Sequence, residues 1–342
     1  MIVDKFERLN GAPASRVEHK RRKEHVKKII VHHPQYNEVL EQLEDMLYMS
    51  DGSVSPDQLF IFGPTGVGKS TVTTEFKDRY PPVEVFTSDK HYTRIPVLHV
   101  RVPPKASPKA LASKLLNQMG DPFFNVGTEV QMTSRIHHFI RELEIKMIIL
   151  DEFQHLIDSD RDSVLATAAN WVKTFSEESS IPVVLCGMPN SINIFAKEKQ
   201  LDRRYATKLS LKGFEYFTAE DKVMFRAFLD KVEQELPFAD KSNLSNIRLA
   251  DKLFYISMGI PFYVMKLLEF ATEVASKKGE DSIHESHLEQ ALKKIGQVSR
   301  PFRVNPFNQD NFDLIDELSR ETKKEGNSKT SQFAEKQNNR KK

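Results

Sequence analysis

Residues 59–70 read Leu59-Phe60-Ile61-Phe62-Gly63-Pro64-Thr65-Gly66-Val67-Gly68-Lys69-Ser70, and Thr71 follows. Four apolar residues in a row predict a short buried strand. Gly63, Gly66 and Gly68 let the backbone behind it curl tightly and turn its N–H groups toward phosphate oxygens. Lys69 is placed to reach the β- and γ-phosphates of a nucleotide, and Ser70 to offer a hydroxyl to Mg²⁺. Ser70 to Phe76 predicts a helix, whose N-terminus favours an anion. Strand, loop, lysine, hydroxyl and helix in this order make Gly63, Pro64, Thr65, Gly66, Val67, Gly68, Lys69, Ser70 and Thr71 a phosphate-binding loop, with ATP and Mg²⁺ as its expected ligands.

The rest of such a site is legible further along. Met147-Ile148-Ile149-Leu150-Asp151-Glu152 is a strand ending in two carboxylates, about eighty residues after the loop. Asp151, at the strand tip, is expected to help hold Mg²⁺ through water. Glu152 is expected to orient or deprotonate an attacking water. Hydrolysis also needs positive charge at the γ-phosphate, commonly from an arginine supplied in trans. Arg203 and Arg204, in Leu201-Asp202-Arg203-Arg204-Tyr205, are the candidates, and their use would require a neighbouring subunit. A polar γ-phosphate sensor is expected past the strand at 183–187, where Asn190 is the amide side chain available; a Pro-Asn turn accounts for it equally well.

Outward from the loop, strand-like runs at 59–62, 83–86, 96–102, 147–150, 183–187 and 207–211 alternate with helical patterns at 70–79, 108–119, 129–144 and 162–178. That alternation predicts a largely parallel sheet with helices on both faces. Before it, Tyr36, Val39, Leu40, Leu43, Met46 and Leu47 recur at helical spacing. After it come helices only: Thr218-Ala219-Glu220-Asp221 is a capping-box start, and further helices fit 246–258, 261–278 and 284–295. The division expected is a basic N-terminal helical extension (1–50), an α/β nucleotide-binding domain (51–215), a small helical lid domain (216–298) and an extended, largely disordered tail (299–342). The tail holds Phe302, Phe307 and Phe312 as spaced apolar anchors, then a Lys/Asn/Ser-rich end read as disordered from 319. In the extension, Arg16, Lys20, Arg21, Arg22, Lys23, Lys27 and Lys28 read either as a solvated helix face or as a nucleic-acid-facing arm.

The 342 residues allow about two domains, and 50 basic against 48 acidic residues name no partner by net charge. No run of about 18 apolar residues predicts a membrane span, and Met1 to Asn10 lacks the apolar core of a signal peptide. Cys186, the one cysteine, leaves no internal disulfide and fits a reducing cytoplasm. Lying in an apolar run, it reads as a small core residue.

The loop, Asp151-Glu152, the arginine pair after the next strand and the C-terminal helices resemble the AAA+ ATPase superfamily. Within it the chain most resembles the TniB/TnsC family of DNA-transposition regulators. The stretches that carry this are Ile149-Leu150-Asp151-Glu152-Phe153-Gln154-His155-Leu156, Ile181-Pro182-Val183-Val184-Leu185-Cys186-Gly187, Leu201-Asp202-Arg203-Arg204-Tyr205, and Ile95-Pro96-Val97-Leu98-His99-Val100 with Ser107-Pro108-Lys109-Ala110-Leu111. The resemblance implies an ATPase that assembles on double-stranded DNA as a ring or helical homo-oligomer. It would link a target-selecting protein, in CRISPR-associated elements an RNA-guided complex, to a transposase. It also implies DNA contacts from Lys109 and Thr128, with Lys105 in the same loop. The residues themselves agree in part: Arg101, Lys105, Lys109 and Lys114 form a basic cluster suited to phosphate contact without sequence preference. One departure stands out. Many AAA+ lids carry an arginine after a Gly-x-Pro turn, and here the turn is Gly259-Ile260-Pro261-Phe262, with Lys266 the nearest cation.

Other readings carried from the sequence are an ATP-locked assembly scaffold with marginal hydrolysis, an origin-recognition or helicase-loading ATPase, and a signalling NTPase. The last would need sensor repeats for which this chain has no room.

Overall fold

The computed structural model describes residues 6–339 except 54, 89–90, 158–161, 298 and 302. In chain order, α1 (Arg16–Lys28) and α2 (Pro34–Met49) precede β1 (Leu59–Phe62) and α3 (Lys69–Arg79). β2 (Val83–Phe86), β3 (His91–Arg94) and β4 (Val97–Arg101) lead to α4 (Pro108–Gln118) and α5 (Glu129–Glu142). Then come β5 (Met147–Asp151), α6 (Gln154–Ile157), α7 (Asp162–Glu178), β6 (Val183–Gly187), α8 (Asn193–Lys197), α9 (Lys199–Arg204) and β7 (Thr207–Ser210). The remainder is helical: α10 (Ala219–Gln234), α11 (Ile247–Ser257), α12 (Pro261–Lys278), α13 (Glu285–Leu292) and α14 (Leu314–Asn339). Two units emerge from the packing, one of residues 32–212 and one joining residues up to 31 to those from 213 onward.

The first unit holds a five-stranded sheet in the order β4-β5-β6-β1-β7, every pairing parallel. Both faces are covered, so the central strands are apolar throughout rather than alternating. One face presents Phe60, Leu98, Val100, Ile148, Leu150 and Leu185 to the buried residues of α4, α5 and α7. The other presents Ile61, Val97, Met147, Ile149, Val184 and Cys186 to Val72 and Phe76 of α3 and to the apolar stripe of α2. β1 feeds α3, the chain crosses to the far strand β4, and it returns through β5 and β6 to lie beside β1. The loop after β1 therefore opens at the carboxyl ends of the strands, where ligands bind in open α/β sheets.

Two expectations are corrected in this unit. Residues 83–86 were expected in the main sheet; instead β2 pairs antiparallel with β3 as a separate hairpin. Its side chains explain this: Val83 and Phe86 are 41% and 74% exposed, so the strand has no buried face to place in a covered sheet. The segment 1–50 was expected as one extension, yet only α2 packs in the α/β unit, while α1 belongs to the helical unit.

In the helical unit, α1 packs on α12 with Arg22 buried and Lys23 paired to it, while Arg16, Lys20, Arg21, Lys27 and Lys28 are exposed, so two of the seven cations leave the expected basic face. Arg22 is 1% exposed, with Nε donating to Glu18 Oε1 (2.8 Å) and the Nη atoms donating to the carbonyls of Glu7 and Pro237. Lys23 reaches Glu273 at 3.0 Å and Glu269 at 3.7 Å. Hydrogen bonds from Lys277, then Lys294 and Lys23, hold the Glu273 carboxyl well below the ordinary carboxylate range, against the opposing effect of burial.

The segment after 299, expected as extended and largely disordered, differs most. Phe302 lies outside the described residues. Phe307 is buried, and Phe312 packs edge-on against Tyr255 at 5.4 Å. Arg300 makes a two-pronged pair with Glu321 (Nε–Oε1 2.9 Å, Nη2–Oε2 2.6 Å), and Tyr255 Oη also donates to Glu321. α14 then continues through 319–339, where no helix was expected. The clasp anchors the start of α14: partners drawn from α11 and the preceding loop hold Glu321 in a segment whose own composition is polar.

Because Arg300 and Glu321 are 11% and 7% exposed at the side chain, removing one leaves a buried charge unpaired. Glu321→Ala should therefore lower unfolding stability by about 3–5 kcal/mol in a denaturant titration. A loss below about 0.5 kcal/mol, the size expected at a plain surface position, would mean the tail is not docked.

Candidate functional site

The loop of residues 63–68 is set by close backbone contact. Gly63 N–H donates to Gly187 O at the end of β6 (3.2 Å), and a Cβ on Gly63 would stand 1.9 Å from the Leu211 carbonyl oxygen. Only glycine fits there. Gly68 precedes α3 at φ +105°, a left-handed conformation that costs other residues energy. Val67 is buried and anchors the loop, while Thr65, Ser70 and Thr71 are exposed and Pro64 and Gly66 half-buried. Lys69, the first residue of α3, turns back over the loop and donates Nζ to the carbonyls of Gly63 (2.7 Å) and Pro64 (2.9 Å). Burial pushes its pKa down, while the charges of Glu152 and Asp151 oppose that.

Asp151 ends β5 and is 3% exposed. Its Oδ1 accepts from Glu152 N–H (2.8 Å); Oδ2 accepts no hydrogen bond among the described residues and lies 4.0 Å from His99 Nε2. A buried carboxylate with one oxygen unengaged among the described residues suits a hard cation such as Mg²⁺. No group of three or more His, Cys, Asp or Glu that could hold a metal ion occurs among the described residues.

Glu152 leaves the strand with φ +57°, a strained conformation for a residue with a side chain, costing on the order of 1–3 kcal/mol. The turn throws its carboxylate away from the strand axis. Oε2 accepts from Gln154 Nε2, and Oε1 lies 3.4 Å from Arg101 Nη2. Gln154 Oε1 in turn accepts from Met188 N–H at the tip of β6 (3.2 Å). Gln154 therefore joins the acidic turn to the strand tip where a sensor was sought. Asn190 is exposed on a 3-10 turn, Pro189–Ile192, just beyond that tip, with no side-chain hydrogen bond among the described residues. Cys186 is fully buried beneath the loop, and burial raises its thiol well above the ordinary range, as befits a core residue.

The structure separates the arginine pair. Arg204 lies against α7, donating Nη2 to Ser176 O (3.0 Å) with Nη1 3.6 Å from Glu177. Arg203 is exposed and makes no hydrogen bond or ion pair among the described residues.

The basic candidates fall in a band at the end of β4 and along α4. Arg101 is exposed beside Glu152, and Lys105 is exposed with φ +53°. Lys109 is exposed on the first turn of α4; Lys114 is half-buried. Thr128 is the N-cap of α5, its Oγ1 accepting from Gln131 N–H (3.3 Å), which leaves its hydroxyl proton free to donate. The loop between the helices is fixed by Arg135, which donates to Asp121 (3.0 Å) and to the carbonyls of Phe123 (2.8 Å) and Val126 (3.0 Å).

In the helical unit, Phe262 is 53% exposed on the first turn of α12, and Lys266 Nζ is taken by Glu269 Oε2 (2.8 Å). Two site residues had no assigned role in the sequence: His99 and Gln154. His99 had a signal, a polar residue inside the apolar run Val97-Leu98-His99-Val100. Gln154 had none, because its partners meet only through the turn at Glu152.

Residues 1–216 match the family described as Bacterial TniB protein. The ORC1-type DNA replication protein of Pyrococcus furiosus is 24% identical over 274 residues, 77% of this chain and 62% of that protein. ORC1-type DNA replication protein 10 of Halobacterium salinarum is 24% identical over 267 residues, 75% and 61% respectively. The chain thus spans less than two thirds of the length of these curated relatives. Among solved structures, the Aeropyrum pernix ORC1 protein in complex with DNA superposes with a TM-score of 0.58 at 16% identity, over 80% of this chain and 69% of that one. Cdc6p from Pyrobaculum aerophilum does so with a TM-score of 0.57 at 15% identity, over 80% and 71%. At such identities the likeness is one of fold, while the family match covers more than half of the chain. The chain belongs to the bacterial TniB protein family and has the fold of an AAA+ ATPase.

Proposed function

We propose that this chain is an ATP- and Mg²⁺-dependent, DNA-binding regulator of DNA transposition, working in the cytoplasm, that assembles with copies of itself on duplex DNA and links a target-selection protein to a transposase. The observation that carries the reading is the separation of Arg203 from Arg204. The loop, Asp151 and Glu152 gather at one end of the sheet, while Arg203 is exposed without a partner among the described residues, as an arginine serving a neighbouring copy's nucleotide would be.

In this reading the loop amides and Lys69 hold the β- and γ-phosphates, and Ser70 and Asp151 hold Mg²⁺. When bound there, the ion would supply neutralisation of the phosphate charge. Glu152 orients the attacking water and accepts its proton, with Gln154 setting the carboxylate's direction. Arg203 of the next copy meets the charge developing on the γ-phosphate, and Asn190 stands at the sensor end of β6. Arg101, Lys105, Lys109, Lys114 and Thr128 contact the DNA backbone, giving affinity without sequence preference.

A second reading, an origin-recognition or helicase-loading ATPase, draws on the ORC1-type relatives matched over about three quarters of the chain. A third, an ATP-locked scaffold with marginal hydrolysis, draws on Phe262 and the engaged Lys266 in the helical unit.

Electron microscopy with duplex DNA and a non-hydrolysable ATP analogue should show rings or filaments on DNA for the wild type and none for Lys69→Ala. Monomers in both samples would overturn the reading, and a strong preference for one DNA sequence would move it toward origin recognition. Arg203→Ala should lower turnover on the order of 10³-fold while leaving nucleotide binding by the monomer near normal. Arg204→Ala should instead lower the melting temperature, losing a hydrogen bond worth on the order of 1–3 kcal/mol; the opposite pattern would exchange their roles. Lys109→Ala should weaken binding to all duplexes alike and flatten the dependence of log affinity on log salt by about one unit. A loss confined to particular sequences would contradict a phosphate contact.

A further inference from the structure

His99 stands where a core aliphatic side chain is expected. On β4 it follows Val97 on the face turned toward α3, beside Ile149 of β5, one layer before the Asp151 carboxylate. Its side chain is 16% exposed. An apolar residue would fill this space at no polar cost, so the imidazole's hydrogen bond needs a reason. Nε2 lies 3.1 Å from Oγ1 of Thr73, which is fully buried in α3. Thr73 Oγ1 lies 3.1 Å from Lys69 O and 3.3 Å from Ser70 O.

The directions of these bonds follow from the atoms. The two carbonyls only accept, so the single Thr73 hydroxyl proton points to them. Thr73 Oγ1 then accepts, and His99 Nε2 carries the donated proton. A continuous relay runs from β4 through His99 and Thr73 to the backbone of Lys69 and Ser70. His99 Nε2 also keeps a distance of 4.0 Å from Asp151 Oδ2, filling the gap between that carboxylate and the first turn of α3. One end of the relay is the backbone of Ser70 on α3, and the other, His99, stands 4.0 Å from Asp151 on the neighbouring strand β5.

We propose that His99 is a positioning residue for the metal–nucleotide site, acting through Thr73 to hold the Ser70 turn at a fixed distance from Asp151 so that both can share one Mg²⁺. This rests on the ATP and Mg²⁺ reading above. His99 touches neither nucleotide nor metal. Its effect should appear in how much Mg²⁺ tightens nucleotide binding, not in nucleotide binding as such.

The test uses the full chain and a fluorescent ATP analogue, with Kd measured in Mg²⁺ and in EDTA. In His99→Ala and in Thr73→Val the ratio of the two constants should shrink by about 10-fold, the loss typical of removing a group that orients a metal ligand. The Kd in EDTA should stay within about twofold of wild type. His99→Gln, whose amide nitrogen can take the place of Nε2, should restore most of the Mg²⁺ effect. The double variant His99→Ala/Thr73→Val should be no worse than either single one, because both break one relay. Thr73→Val preserves side-chain volume, so it carries the test where His99→Ala fails to fold. Equal weakening in Mg²⁺ and EDTA, or no change in either variant, would overturn the proposal. A wild type that binds no nucleotide in Mg²⁺ would overturn the ATPase reading itself, a distinct outcome.

Discussion

The approach of Gly63 to its neighbours sets the geometry on which the site depends. Its N–H bonds the last carbonyl of β6, and its missing side chain leaves room for the Leu211 carbonyl after β7. Three strand ends are thereby brought to one level, with β1 held between the two it must pair with. The loop that follows inherits a fixed starting direction, and α3 begins where Gly68 can reverse the chain. Covering both faces of the sheet contributes the rigidity. Ile149, Val184 and Cys186 on one side and Leu150 and Leu185 on the other are all fully buried, so the strand tips cannot shift independently.

On this platform the charges are arranged so that none is alone. Lys69 is half withdrawn from water and lies among the loop carbonyls and two carboxylates. Asp151 is buried, and its backbone N–H neighbour caps one oxygen. Glu152 is the strained member, held out of the strand direction and engaged by Gln154 on one oxygen and Arg101 on the other. Arg101 is also the inner end of the basic band on β4 and α4. The carboxylate suited to proton transfer and the residues suited to DNA phosphate are thus joined by one exposed ion pair. Such a pair is worth little to stability, and a competing phosphate could displace it at small cost.

What could be read from the sequence divides along the range of the interactions involved. The phosphate-binding loop, the strand ending in Asp151-Glu152, the α2 stripe and the capping box at Thr218 are local patterns, and each element lies where its residues predict. The five-stranded parallel sheet follows from their alternation. What was missed depends on partners far along the chain. The N-terminal cations read as a solvated face or a nucleic-acid arm, and the packing of Lys23 was not visible because Glu269 and Glu273 lie about 250 residues away. The tail read as disordered because the Arg300–Glu321 clasp and the Tyr255 hydroxyl do not alter its polar composition. Arg203 and Arg204 are adjacent and chemically identical, and only the position of α7 distinguishes them.

At the turn where many AAA+ proteins place a lid arginine, Phe262 is exposed beside Tyr263, and the nearest cation, Lys266, is already bonded to Glu269. Releasing Lys266 would leave Glu269, itself 5% exposed, with only the longer contacts to Lys23 (3.7 Å) and Lys27 (3.9 Å). In the proposed reaction the positive charge around the γ-phosphate then comes from Lys69 in the same chain and from Arg203 of another. A single copy would hold nucleotide with an incomplete set of charges and hydrolyse it slowly. In the proposed reading, completion of the set by a neighbour would tie turnover to assembly, a behaviour suited to a protein that marks a DNA site for a limited time rather than one that moves along it.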